Sequence, residues 1–326
     1  MKNYLVTGGL GFLGSHLVEK LVKSNHKVTI IDNLSNGKIS NIKSVKNKVK
    51  IINADISITS KWKRYFKNVD VVIHLAAIAD IVPSIKNPKS YFDTNVTGTI
   101  NVIEAAKENG IKKFIYAASS SSYGIPKTYP TKETEILDPK YPYALTKKLG
   151  EDIVLHWGKI YKINVISLRF FNIYGERSRT SGSYGAMFGI FLAQKINGKA
   201  FTVVGNGSQK RDFTYVSDVV EAIIIASKKK IKPRILNIGS GKCYSVNQIV
   251  KLLGGTKTYI PKRPGEPQVT WANINKAKKF LKWKPKVNIK IGIKKLLDNI
   301  NLWSNAPVWN KENISIATKD WFKYLK

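Results

Sequence analysis

Short apolar runs alternate with amphipathic stretches over the first half of the chain, which predicts βαβ units on a parallel sheet. The runs Asn3–Thr7, Lys27–Ile31, Lys50–Asn53, Val69–Leu75, Lys113–Ala117 and Val165–Phe170 predict strands. Most are rich in Val and Ile and continuous, as strands covered on both faces are. Helical patterns fall near residues 12–24, 90–109 and 143–162. Pro142 stands just before the last, where its missing N–H costs nothing and its fixed φ favours a helix start. After about residue 172 the pattern changes. The segment from Glu176 to Ser183 is polar and loop-like, and shorter elements follow, broken by Gly205-Asn206-Gly207 and by Pro261 to Gly265. Arg234 to Gly241 reads as one more strand ending in glycines, so a second unit is expected to interleave with the first.

Composition narrows this picture only a little. A chain of 326 residues with 43% hydrophobic residues can bury a full core. No apolar run approaches the ~20 residues that span a bilayer, and the N-terminus reads as that of a cytoplasmic protein. The single cysteine, Cys243, excludes an internal disulfide, and His16, His26, His74 and His156 lack metal-ligand spacing, so no metal is expected. The net charge of +34 raises nucleic acid or an anionic membrane as partner. The lysines are spread along the whole chain, however, and the longest block is Lys228-Lys229-Lys230. They read as solvated faces, with no nucleic-acid partner and no membrane insertion.

The first candidate chemistry is Thr7-Gly8-Gly9-Leu10-Gly11-Phe12-Leu13-Gly14, which joins the first strand to the first helix. Glycines there permit a tight turn, close approach to a pyrophosphate and helix-on-strand packing, and the helix N-terminus offers free N–H groups to phosphates. Asp32, at the end of the second strand, is placed to accept hydrogen bonds from an adenosine ribose. Its charge would repel a 2′-phosphate, so NAD is favoured over NADP. The fold class is therefore α/β, a Rossmann-type doubly wound parallel sheet with a smaller interleaved α/β domain. Residues 1–172, with a return segment at about 212–242, form the dinucleotide domain; 173–211 and 243–326 form the other. The second candidate is Tyr143-Ala144-Leu145-Thr146-Lys147, with Tyr and Lys on one helical face. A cationic Lys beside a phenol stabilises the phenolate and makes Tyr143 a usable base. Ser119, Ser120, Ser121 and Ser122 end the fifth strand, where ligands bind in this fold.

These residues carry a resemblance to the extended short-chain dehydrogenase/reductases, in the nucleotide-sugar epimerase/dehydratase group and nearest to UDP-hexose 4-epimerases. It runs over nearly the whole chain: TGGLGFLG, Asp32, HLAA at 74–77, NVTGT at 95–99, AASSSSYG at 117–124, YALTK, LRFFNIYG at 168–175, KRDFTYVSDV at 210–219 and RPGEPQ at 263–268. The resemblance implies that Ser119, Tyr143 and Lys147 are catalytic. It implies NAD contacts from Gly8, Gly11, Phe12, Leu13, Gly14, Asp32, Asn33, Leu75, Ala76 and Ala77, with Asp55 and Ile56 flanking the adenine and Asn95 supporting the cofactor side. On the nucleotide-sugar side it implies Asp80, Ser120, Ser121, Asn172 and Arg211, a strand with Ala186 and Met187 lining the nucleobase, and Gln268.

The same resemblance implies a homodimer through the helices near 95–109 and 143–162. The 4,6-dehydratases place an Asp-Glu pair after the catalytic hydroxyl residue, and Ser120 and Ser121 stand there instead. Asp80 replaces a small Ser, Gln268 and Val269 fill a place expected to supply a second diphosphate-binding Arg, and the position gating N-acetyl groups falls at Asn275. Arg177 or Arg179 is a candidate for the missing charge. A different nucleotide sugar, or a non-catalytic dinucleotide-binding protein, are the other readings. Trp271, Trp283, Trp303, Trp309 and Trp321 are expected to pack the second domain, Cys243 to be inert and His74 to pack beside the cofactor.

Overall fold

The computed structural model describes residues 1–178, 186–231 and 234–325. The β-branched runs form six strands: β1 (Asn3–Thr7), β2 (Lys27–Asp32), β3 (Val49–Asn53), β4 (Val71–His74), β5 (Lys113–Ser119) and β6 (Asn164–Phe170). With the edge strand Ile235–Ile238 they make a seven-stranded sheet. Its order is Ile235–Ile238, β6, β5, β4, β1, β2, β3, and every pairing is parallel. The order reverses between β1 and β4, so the crevice at their carboxyl ends is the place where this topology binds ligands.

Helices α1 (Phe12–Lys23), α2 (Ile81–Lys86), α3 (Pro88–Phe92), α4 (Gly98–Glu108), α5 (Pro142–Ile160), α6 (Met187–Ile196), α7 (Val216–Lys228), α8 (Val246–Leu253), α9 (Ile289–Asp298) and α10 (Lys311–Tyr324) complete the main elements. One sheet face buries Val6, Ile30, Ile73, Ile115 and Leu168 against Leu17, Leu21, Val219 and Ile223 of α1 and α7. The other buries Leu5, Val72, Phe114 and Val165 against Val102, Ala106 and Val154 of α4 and α5. Sheet strands covered on both faces have no polar side to show, which is why they read as continuous apolar runs.

The helical pattern at 90–109 resolves into α3, one π turn at Asp93–Thr97 and α4. Asn95 sits in that turn and spends its side chain on the backbone of Ile78 and on Thr146 Oγ1, at 2.8 to 3.0 Å. The smaller unit has its own core, in which Phe188, Phe191, Phe201, Ile249, Ile293, Leu296 and Trp303 meet. Trp283 departs from expectation. It is buried with the residues of the large sheet, its indole N–H donating to the Asp218 carbonyl at 3.0 Å, and so packs the first unit. Among the described residues no helix is long and apolar enough to cross a membrane, and no group of His, Cys, Asp and Glu could hold a metal ion.

Candidate active site

A cavity of about 1030 Å³ opens at the carboxyl ends of the strands and runs from the glycine turn to the smaller unit. At one end the chain after β1 turns at Gly8, whose φ is +69°. A Cβ there would come within 2.8 Å of the Ala76 nitrogen, and a Cβ on Gly14 would lie 2.1 Å from the Gly8 carbonyl oxygen. Glycine is therefore required twice, once for the backbone sign and once for the packing of α1 on the turn. Asp32 accepts from the backbone N–H groups of Leu10 (3.0 Å) and Leu34 (2.9 Å). Burial pushes its carboxyl upward, and those two donors oppose the shift.

Gly8, Gly11, Phe12, Leu13, Gly14, Asp32, Asn33, Asp55, Ile56, Leu75, Ala76 and Ala77 all line this end. Asn33 donates to Asp55 at 3.0 Å, and Ser57 holds the other Asp55 oxygen through its N–H and hydroxyl. A Gly-built turn at a helix N-terminus beside a strand-end carboxylate fits a dinucleotide. Asn95 is different: it is buried behind the wall and does not line the cavity, and it holds the chain after β4 against α5. His74 is also buried, bonded to Thr7 at 2.7 Å and Thr99 at 2.9 Å, and burial holds its imidazole down at about 3.

In the middle, β5 ends at Ser119 and α5 begins one residue before Tyr143. The Ser119 and Ser121 hydroxyls share a 2.7 Å hydrogen bond, and Ser119 also bonds the Tyr143 hydroxyl. Burial raises the Tyr143 phenol, and the Ser119 bond lowers it. Lys147, one helical turn on, lies with Nζ 4.5 Å from the centre of the Tyr116 ring. Burial pushes its ammonium down to about 7, opposed by Glu151 on the next turn. Ser119, Ser120, Ser121, Tyr143 and Lys147 all face the cavity. Because the Ser119 bond favours the phenolate, Ser119→Ala is expected to move the acid-side limb of kcat/KM to higher pH. A pH–rate profile checks this, and an unmoved limb would mean that Ser119 does not set the titration of Tyr143.

Toward the smaller unit the wall holds Asp80, Asn172, Ala186, Met187 and Arg211. Asp80 precedes α2, and its carbonyl accepts from the Tyr91 hydroxyl at 2.5 Å. Asn172 accepts from the Thr270 hydroxyl at 3.0 Å. Four expectations are corrected here. Ala186 and Met187 are not on a strand; Met187 opens α6 and Ala186 is the residue before it. Gln268 faces a neighbouring cavity, its amide donating to Ser208 at 3.0 Å. Asn275 is exposed and outside the cavity, because Ile274 takes the inward position beside it. Arg177 lines the cavity, but its guanidinium is turned to α1, paired with Glu19 at 2.7 Å and bonded to His16 at 2.9 Å. Arg179 lies outside the described residues.

The second arginine of this end is Arg263, inside the RPGEPQ motif, and sequence reasoning looked past it to the residues that follow. It lines the cavity with Arg211 and Glu266, its guanidinium 5.7 Å from the Trp321 ring. Trp321 also reaches the cavity wall, its indole N–H donating to the Pro264 carbonyl at 2.7 Å.

Residues 4–239 match the model of the NAD dependent epimerase/dehydratase family. A protein of Methanocaldococcus jannaschii with a provisional UDP-glucose 4-epimerase name is 38% identical over 90% of this chain and 97% of its own. The structure of UDP-glucose 4-epimerase from Thermotoga maritima with UDP-glucose superposes with a TM-score of 0.87, at 33% identity over 92% of this chain and 98% of that one. UDP-glucuronic acid 4-epimerase from Bacillus cereus, in complex with UDP-glucuronic acid and NAD, gives 0.85 at 33% identity, covering 92% and 99%.

Proposed function

Because this chain belongs to the NAD dependent epimerase/dehydratase family, we propose that its cavity inverts C4 of a UDP-hexose, a UDP-N-acetylhexosamine or a closely related UDP-sugar. The observation that carries this reading is the convergence of Ser119, Tyr143 and Lys147 on one cavity, between the glycine turn with Asp32 and the pair Arg211 and Arg263. The first end fits a dinucleotide, the other a diphosphate, and the reacting carbon is left beside Tyr143. Gly8, Gly11, Gly14 and Asp32 would hold NAD, which when bound would supply a reversible hydride acceptor. Tyr143 takes the proton of the C4 hydroxyl while Ser119 holds that oxygen, and Lys147 in its ammonium form stabilises the phenolate. Arg211 and Arg263 hold the diphosphate, so the keto-sugar turns about that anchor and presents its other face.

Pure epimerisation is favoured over water elimination because Ser120 and Ser121, and no carboxyl acid or base, flank Ser119 on the wall. The enzyme acts as a homodimer through α4 and α5, which pack side by side and leave Leu145 and Ile160 exposed on α5; its setting is the cytoplasm. Purified protein with no added cofactor, incubated with UDP-glucose, UDP-N-acetylglucosamine, UDP-glucuronate and their 4-epimers, is followed by proton NMR. Interconversion of a pair identifies the substrate. No conversion of any pair after NAD is supplied would overturn C4 epimerisation of these sugars.

A further inference from the structure

Lys147 is buried, and burial works against its charge. Glu151, on the next turn of α5, favours the ammonium but gives its own oxygens to Arg169 at 2.5 Å and Ser167 at 2.6 Å. Tyr143 lies one turn back on the same helix, with Tyr91 of α3 against its ring. Facing the helix, His74 of β4 is neutral, its two ring nitrogens bonded to Thr7 and Thr99. The group that meets the ammonium is Tyr116 of β5, with Nζ over its ring, 4.5 Å from the centre. Tyr116 is buried on the sheet face that packs against α4 and α5, beside Phe114 and Ala118. Its hydroxyl bonds Thr99 and donates to the Lys147 carbonyl at 3.4 Å, so the far edge of the ring is pinned. A Cβ on Gly150 would lie 2.2 Å from that hydroxyl, which shows how closely α5 presses on the ring. Held in this way, the electron-rich face stays under Nζ. Such a face attracts a cation, and does so more strongly out of water.

We propose that Tyr116 is a positioning residue for the reaction, its ring face holding the Lys147 side chain one turn from Tyr143 and favouring the ammonium form. The proposal rests on the reading that Lys147 acts as an ammonium on the Tyr143 phenolate. A carboxylate in the place of the ring would also favour that charge. It would draw the ammonium into an ion pair, however, and its full negative charge would oppose the phenolate that the ammonium serves. The ring supplies the attraction without the competing anion.

The test titrates Lys147 in the enzyme with its bound cofactor by carbon NMR at the lysine Cε, with Lys147→Arg identifying the signal. Turnover of the sugar pair is measured on the same samples. Tyr116→Phe keeps the face and is expected to leave the titration near that of the parent. Fluorine atoms added round that Phe ring drain the face and keep the shape, so loss of the hydroxyl cancels from the comparison. They are expected to lower the titration stepwise by about one pH unit in all, a tenfold change in dissociation. Lys147 titrates at about 7, so turnover relative to Tyr116→Phe should fall about fivefold near pH 7 and only about 1.3-fold near pH 5.5. A titration that stays in place across the fluorinated series overturns the proposal and leaves the reading of the site standing. A titration that falls while relative turnover stays level with pH takes the ammonium out of the reaction, and overturns that reading together with the proposal.

Discussion

Tyr143→Phe is expected to lower sugar turnover by about 10³-fold or more while leaving the fold and cofactor content intact. Proton transfer by a positioned side chain contributes ~10²–10⁴-fold, and Tyr143 stands on the cavity wall with Ser119 and Lys147. The substitution removes one oxygen. Ser119 keeps its 2.7 Å bond to Ser121, and the Tyr143 ring keeps its edge contact with Tyr91, centroids 6.4 Å apart. Melting temperature and bound NAD should therefore match the parent, so any loss read by NMR belongs to the chemistry. Turnover within tenfold of the parent would remove Tyr143 from the role of base.

The second large effect is on stability. Glu151 and Arg169 are both almost fully buried, joined by two bonds from Arg169 Nε at 3.1 Å and one from Nη2 at 2.5 Å, with the Ser167 hydroxyl on Glu151 at 2.6 Å. Arg169 Nη1 also donates to the Tyr123 hydroxyl at 2.9 Å, and Tyr123 donates to Asn237 of the edge strand at 2.7 Å. Glu151 holds the guanidinium charged, above its already high range. Glu151→Gln leaves that charge buried without a carboxylate, a change that costs about 3–5 kcal/mol. The melting temperature should fall by roughly 10 °C. Lys147 loses the group that opposes its downward shift, so less of it is ammonium near neutral pH and turnover drops as well. Glu151→Gln combined with Arg169→Met should recover most of the stability. A Glu151→Gln variant melting like the parent would show that the pair contributes little.

Much of the site was legible along the chain because its parts are local. Gly8, Gly14 and Asp32 belong to one β-turn-α-β unit, where backbone sign and close packing dictate residue type. Tyr143 and Lys147 share a helical face by spacing alone. The failures came where placement depends on residues distant in sequence. Asn95 looked like a cofactor contact, yet its amide is consumed by Ile78 and Thr146, which only the packing of the chain after β4 against α5 brings to it. Arg177 carried the right charge for a diphosphate, but Glu19 and His16 on α1 claim it.

The sequence by itself determined the parallel sheet, the dinucleotide turn and the Ser-Tyr-Lys set. Each follows from apolar continuity, glycine geometry or helical periodicity within one or two neighbouring elements. Tertiary structure alone decided how the arginines of the cavity are paired, which way Gln268 and Asn275 face, and that Glu266 stands between Arg211 and Arg263. Those positions lie on loops and very short elements, where too few residues repeat for a period to constrain a side chain, and some are fixed by partners distant in sequence, as Arg211 is by Glu266 and Gln268 by Ser208.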